Sequence, residues 1–160
     1  MNLPENDYQI LKLTEKFYED FPDPPYHEIL KKQARAYNCL LFQSHYGYFI
    51  CIPYRSEVRH SYSYRFKKTA RSKEHKSGLD YTKIVIISKT TYIDNQNAII
   101  DKDEFNETMI NLDKIKAEAL KFVEDYVAHV KNIKKLHFQE FQRRYKFSPL
   151  QYFHKELGID

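Results

Sequence analysis

Two regimes of apolar spacing divide the chain. Up to about residue 100 the apolar residues cluster in short runs bounded by polar punctuation. From Leu112 onward they step by three and four, through Ile115, Ala119, Phe122, Tyr126, Val130 and Ile133. Short runs rich in aromatic and β-branched residues predict strands, and the three-and-four spacing predicts one face of a helix. The first half thus reads as a sheet and the last third as helices, an α+β domain with its elements segregated along the chain.

The runs place the elements more closely. "DYQILKL" (7–13) predicts a strand, and Thr14 an N-cap for a short helix over "EKFYEDF". "PDPP" (22–25) ends that helix, because proline lacks the amide hydrogen and biases its predecessor to extended geometry. One or two helical turns are expected in "YHEILKKQAR". "AYNCLLFQ" (36–43) and "YGYFICIP" (46–53) predict an antiparallel hairpin with a two-residue connection. "HSYSYRF" (60–66) reads as a third or edge strand, and "TKIVIISK" (82–89) as a buried one. "TTYIDNQNAII" suggests two short strands around "DNQN". After the long helix, which breaks near Asn132, Phe138, Phe141 and Tyr145 predict a second helical piece. Ser148, Pro149 and Gly158 mark the start and stop of a last one. No repeat or linker interrupts the 160 residues, so one domain is expected.

Composition narrows the class. Hydrophobic residues make up 42% and aromatics 16% of the chain, enough for a packed core. No run approaches the ~20 apolar residues of a membrane-spanning helix. The start, "MNLPENDYQ", lacks the basic and apolar regions of a secretion signal, so a cytoplasmic location is expected. Cys39 and Cys51 stand in apolar runs without a CxxC partner and read as buried core thiols. With three glycines there is no Walker loop and no dinucleotide fingerprint. The seven histidines show no zinc-ligand spacing, and "DKDEFNE" (101–107), lacking the EF-hand glycine and ligand order, reads as a solvated turn before a helix. No metal and no cofactor are expected.

Charge changes the picture most. Residues 55–76 hold eight Lys or Arg against two Glu, a net of +6, and the rest of the chain sums to −2. All of the positive excess therefore lies in one stretch, interleaved with Tyr and Phe. Cations that track phosphates and aromatic faces that stack on unpaired bases suit single-stranded nucleic acid. Arg59, Arg65, Lys67, Lys68, Arg71 and Lys73 are the candidate phosphate contacts; the plain alternative is a charged, solvated loop. RNA also carries its own nucleophile, the 2′-hydroxyl. Cleavage needs only alignment, a proton acceptor, charge neutralisation at phosphorus and a proton donor. "RSEVRH" offers Ser56 and His60, with Arg55 just before the serine and Arg59 between the two, and "YRFKK" adds Lys67 and Lys68.

The runs "AYNCLLFQSHYGYFICIPYRSEVRH", "SYRFKK" and "SGLDYTKIVIIS", in this order, resemble the ToxN/AbiQ-like endoribonuclease toxins of type III toxin–antitoxin systems, and within them the CptN/TenpN branch. The resemblance covers roughly residues 8–145 and rests on the combination "IPYRS", a basic loop, "GLDYTKIVII" and a long helix behind. It implies a compact, bent antiparallel sheet like the Kid/MazF barrel, followed by the helices. It also implies metal-independent RNA cleavage that leaves a 2′,3′-cyclic phosphate and a 5′-hydroxyl. The inhibitor would be RNA, a repetitive pseudoknotted transcript cut into units that bridge toxin protomers in a closed assembly.

Carried over by residue, the resemblance places the family serine on Ser56. Arg55 stands where a threonine is common, and Arg59 and His60 follow the serine as catalytic or phosphate-binding positions. A lysine before the first hairpin strand falls on Arg35, with the neighbouring Lys31 and Lys32 as alternatives for that one position. Lys67 of "RFKK" is expected beside the pocket. Ser56, His60 and Lys67 are thus the expected catalytic residues. Arg35, Lys32, Arg55, Arg59, Arg65, Lys68, Arg71, Lys73 and Tyr37 are the expected RNA contacts. Tyr26 and Tyr37 suit core or groove equally, and Asp80 suits a loop-holding carboxylate better than an RNA contact. A non-enzymatic RNA-binding module is the alternative.

Overall fold

A computed structural model describes residues 8–31 and 37–160. Among them, six strands form one antiparallel sheet: β1 (Gln9–Lys12), β2 (Asn38–Gln43), β3 (Phe49–Arg55), β4 (Ser63–Arg65), β5 (Gly78–Asp80) and β6 (Val85–Ile87). Five α-helices accompany it: α1 (Glu15–Asp20), α2 (Ala70–His75), α3 (Lys102–Ile110), α4 (Leu112–Val130) and α5 (Phe138–Tyr145).

β3 organises the sheet. One edge pairs with β2 from Gln43↔Phe49 to Cys39↔Pro53. The other edge changes partner along its length. β6 covers Phe49–Cys51, and β5 covers Tyr54 and Arg55. Pro53 lies where the partner changes, a position at which a missing amide hydrogen costs no regular ladder. β4 then adds to β5, so the order β1-β2-β3-β5-β4 is open and the sheet is not closed. Gly78 must be glycine here, since a Cβ would lie 2.3 Å from the Tyr64 carbonyl oxygen of β4.

Strands β2 and β3 are apolar on both faces, and both cysteines are free and buried among them. α4 lays Ile115, Ala119, Phe122, Val123 and Tyr126 into the core. α5 closes over it through Tyr145, whose hydroxyl donates to the Phe122 carbonyl at 2.6 Å. No helix among the described residues is long and apolar enough to cross a membrane.

Several expected boundaries move. The hairpin loop spans five residues, 44–48, because Ser44 pairs with Tyr48 and Gly47 adopts φ +98°. Thr14 precedes α1 but does not cap it; its hydroxyl donates to the Thr91 carbonyl at 2.6 Å. Residues 26–31 form turns rather than helix. The run 82–89 yields only three strand residues, since Tyr81–Lys83 wind into a 3-10 turn capped by Asp80. "TTYIDNQNAII" makes a 3-10 turn and one bridge, Leu13↔Ile93, instead of two strands. The last segment, capped by Ser148, winds as 3-10 over Pro149–Tyr152. The largest correction is "DKDEFNE", which is helix α3 and not a solvated turn.

Candidate nucleic-acid interface

β3 delivers the first residues of the basic segment to one end of the sheet. Ser56 follows its last residue, Arg55. The chain returns through β4, turns at "RFKK", forms α2 and re-enters the sheet as β5. The expected long basic loop is therefore a folded excursion with a helix inside it. Thr69 caps α2 by accepting from the Ser72 amide at 3.1 Å.

Ser56 is held by Arg71. Its Oγ accepts from Arg71 Nε at 3.1 Å and from Nη2 at 2.5 Å. On its other side the guanidinium approaches Glu104 of α3, Nη1 to Oε1 at 3.7 Å. Burial pushes the Glu104 carboxyl above its usual range.

α3 anchors the whole excursion. Asp103 accepts from the Ala70 amide at 2.8 Å. Glu107, 8% exposed, accepts from the Lys67 amide at 2.9 and 3.1 Å, the Lys68 amide at 2.9 Å and the Tyr64 hydroxyl at 2.7 Å. Backbone amides bent around a carboxylate turn their own side chains outward. Lys67 and Lys68 are accordingly exposed, as are Arg65 and Lys73.

A second hub lies behind Arg55. Asp80, fully buried, accepts from Arg55 Nη1 at 2.7 Å, from His60 Nε2 at 3.1 Å, and from the Thr82 amide and hydroxyl at 3.0 and 2.6 Å. Burial alone would raise its pKa. Hydrogen bonds from His60, Thr82 and Arg55 outweigh burial and hold the carboxyl below the ordinary aspartate value. The expected loop-holding role for Asp80 is present in the Thr82 contacts, and the side-chain partners go beyond it.

His60 was expected at the scissile phosphate. Its Nε2 is committed to Asp80, and its Nδ1 is shielded from solvent without a partner. The side chain is 36% exposed, but one ring nitrogen is engaged and the other is shielded. Arg59 is exposed and donates to Glu57 at 2.6 Å, and Glu57 also meets His75 of α2, Nδ1 to Oε1 at 3.2 Å.

The structure thus brings together Arg55, Ser56, Arg59, His60 and Arg71, with Lys67 and Lys68 on the adjoining turn. Tyr37, one residue before β2, belongs to the same end of the sheet as Arg55. Lys32 and Arg35 lie outside the described residues. Of the eight cations in 55–76, Arg55, Arg59 and Arg71 pair with carboxylates. Arg65, Lys67, Lys68, Lys73 and Lys76 enter no ion pair among the described residues and stand exposed.

Residues that the sequence did not single out also converge here. Glu104 and Glu107 were hidden in an acidic stretch. Lys83, the last residue of "GLDYTK", is half-buried and donates to the carbonyls of Phe147 at 2.8 Å and Glu28 at 3.2 Å. Burial lowers its pKa; the Asp80 charge raises it and the Arg55 charge lowers it further. The hydroxyl of Tyr62, beside His60, donates to Glu140 of α5 at 3.1 Å. Glu140 is drawn down to about 2 by hydrogen bonds from Arg143 and Arg144. In comparisons with protein-family models, curated proteins and solved structures, the chain matches none.

Proposed function

We propose that this protein is a metal-independent endoribonuclease, the toxin of a type III toxin–antitoxin system. It cleaves single-stranded RNA by attack of the 2′-hydroxyl, leaving a 2′,3′-cyclic phosphate and a 5′-hydroxyl. The observation that carries the reading is the Ser56–Arg71 pair, in a segment that also holds five exposed cations outside any ion pair among the described residues.

The geometry suggests a division of labour. Two N–H groups of Arg71 engage the lone pairs of Ser56 Oγ, so the hydroxyl hydrogen is free to point away, toward a phosphate oxygen. Arg71 keeps further N–H donors for the same phosphate, whose charge grows as O2′ attacks. The two bonds to Ser56 orient the guanidinium and Glu104 lies 3.7 Å behind it, so these donors are already in place at the moment of reaction. Arg65, Lys67, Lys68 and Lys73 then hold the flanking phosphates, and neighbouring tyrosines such as Tyr37 offer faces for bases.

The same reading carries the finer architecture and the partners. A sheet resembling the Kid/MazF type, a cytoplasmic setting and an inhibitory repetitive RNA bridging protomers in a closed assembly belong to it. What the structure itself has is an open six-stranded antiparallel sheet accompanied by helices. A non-enzymatic RNA-binding module is favoured by one observation: His60 has its Nε2 engaged by Asp80 and its Nδ1 shielded.

Incubating RNA-free protein with single-stranded RNA in EDTA and mapping the ends separates the two. Discrete cuts with cyclic-phosphate ends, lost by about 10²–10³-fold in Ser56→Ala and Arg71→Ala while RNA is still bound, support the nuclease. RNA that is bound but intact leaves the binding module.

A further inference from the structure

With His60 Nε2 held by Asp80 and its Nδ1 shielded, the proposed reaction lacks a proton acceptor, and the structure offers another. Arg71 and His75 lie four residues apart on α2, one turn along the same face. Arg71 holds Ser56, and the residue after Ser56 holds His75: Glu57 Oε1 lies 3.2 Å from His75 Nδ1. The backbones are stitched at the same point. The Glu57 amide donates to the His75 carbonyl, and the Val58 amide to that of Lys76 at 3.0 Å.

Glu57 reaches this position in a left-handed conformation, φ +59°, and Lys76, across the stitch, has φ +49°. Lys76 is left-handed because it is the C-cap that ends α2, its amide donating to the Ser72 carbonyl; Glu57, next to Ser56, ends no helix, and its backbone is strained. The consequence is a carboxylate aimed at an imidazole. A carboxylate at Nδ1 selects the tautomer with Nδ1 protonated and leaves the Nε2 lone pair free. The side chain of His75 is 55% exposed, and its Nε2 has no hydrogen-bond partner, with Glu74 Oε2 3.9 Å away. The sequence shows only one histidine among seven, because its partner is eighteen residues away.

We propose, resting on the nuclease reading, that His75 is the general base of the cleavage and Glu57 the residue that positions it. His75 Nε2 takes the proton of the 2′-hydroxyl as the O2′–P bond forms. The P–O5′ bond breaks, the leaving 5′ oxygen takes a proton from water, and the imidazolium returns its proton to solvent. Glu57 holds the ring and stabilises the imidazolium. The charged groups around it are Glu57, Glu74, Arg59 through its share of Glu57, Arg71 one turn earlier, and Lys76 next in sequence.

The test compares wild type, His75→Ala and Glu57→Gln on one cleavable RNA under single-turnover conditions across pH, with RNA binding measured alongside. Wild type should lose rate toward acid. His75→Ala should be slower by about 10²–10⁴-fold, the range for a positioned acid–base group, with binding within about twofold. Added imidazole should restore part of its rate, and the acid limb should be gone. Glu57→Gln should retain the limb with a rate lowered about tenfold, and ¹⁵N spectra of wild type should show His75 protonated at Nδ1. A wild type that binds but never cuts RNA overturns the nuclease reading and this assignment with it. A wild type that cuts, with His75→Ala within about threefold of it or with its acid limb intact, overturns the assignment alone.

Discussion

Strain and burial single out two carboxylates. Glu57 occupies φ +59°, where a residue with a Cβ costs about 1–2 kcal/mol and glycine does not. Its two ion pairs are exposed, and such pairs contribute little. Glu57→Gly should therefore leave the urea midpoint close to wild type, while RNA cleavage falls at least about tenfold because His75 loses its anchor. A large drop in stability would show that the loop, not the chemistry, needs the side chain. Asp80 is the opposite case, buried and surrounded by donors. Its folded pKa lies below the ordinary aspartate value of about 3.9, so its contribution is fully present above that value and is lost as pH falls through the lower folded one. Wild type should thus lose part of its stability below about pH 3.9. Asp80→Asn replaces acceptor capacity with an amide beside Arg55 and His60, and should cost about 3–5 kcal/mol at pH 7 by urea denaturation. Between pH 7 and 3 the variant should lose less stability than wild type.

At the level of elements, what the sequence disclosed follows from which force shaped each one. α4 was readable because its buried face is apolar at Ile115, Ala119, Phe122, Val123 and Tyr126, giving a regular period. The strands β2 and β3 were readable from their aromatic and β-branched density, though not their loop, which depends on Gly47 and the Ser44–Tyr48 pairing. α3 was missed because its buried residues are Glu104, Glu107 and Thr108. A helix that turns carboxylates inward shows no hydrophobic period, and its acidic stretch looks like solvent-facing charge. The same physics hid the support of the candidate site, since the partners of Glu107 are backbone amides forty residues away. Ser56 and the cations were visible in the segment; the way they are held was not. Removing that acceptor should be costly. Glu107→Ala leaves the Lys67 and Lys68 amides and the Tyr64 hydroxyl without it, and the loss should be about 2–4 kcal/mol. Hydrogen exchange should quicken at the amides of 67 and 68 before it does in α4, marking the "RFKK" turn as the part released.

Across the whole molecule, charge is divided by position rather than balanced locally. Residues 55–76 carry +6 and the remainder −2, and α3 offers three of its carboxylates to hold the basic excursion by its backbone and by Arg71. Using backbone amides as the handle leaves the lysine ammonium groups uncommitted, so the fold presents cations without neutralising them. This arrangement predicts how RNA binding responds to salt. If Arg65, Lys67, Lys68, Lys73 and Lys76 each replace one condensed counterion, log Kd should rise with log salt at a slope of about 3.5, from ~0.7 per phosphate contact on a single strand. Lys67→Gln with Lys68→Gln should reduce the slope by about 1.4 and weaken binding similarly for RNAs of different sequence, because phosphate contacts carry no base information. Arg59→Gln, whose guanidinium is already paired with Glu57, should change the slope by clearly less than one exposed lysine does. Equal effects at Arg59 and at the lysines would mean that RNA breaks the Glu57 pair on binding. The carboxylate that holds His75 would then change partners whenever RNA occupies the face.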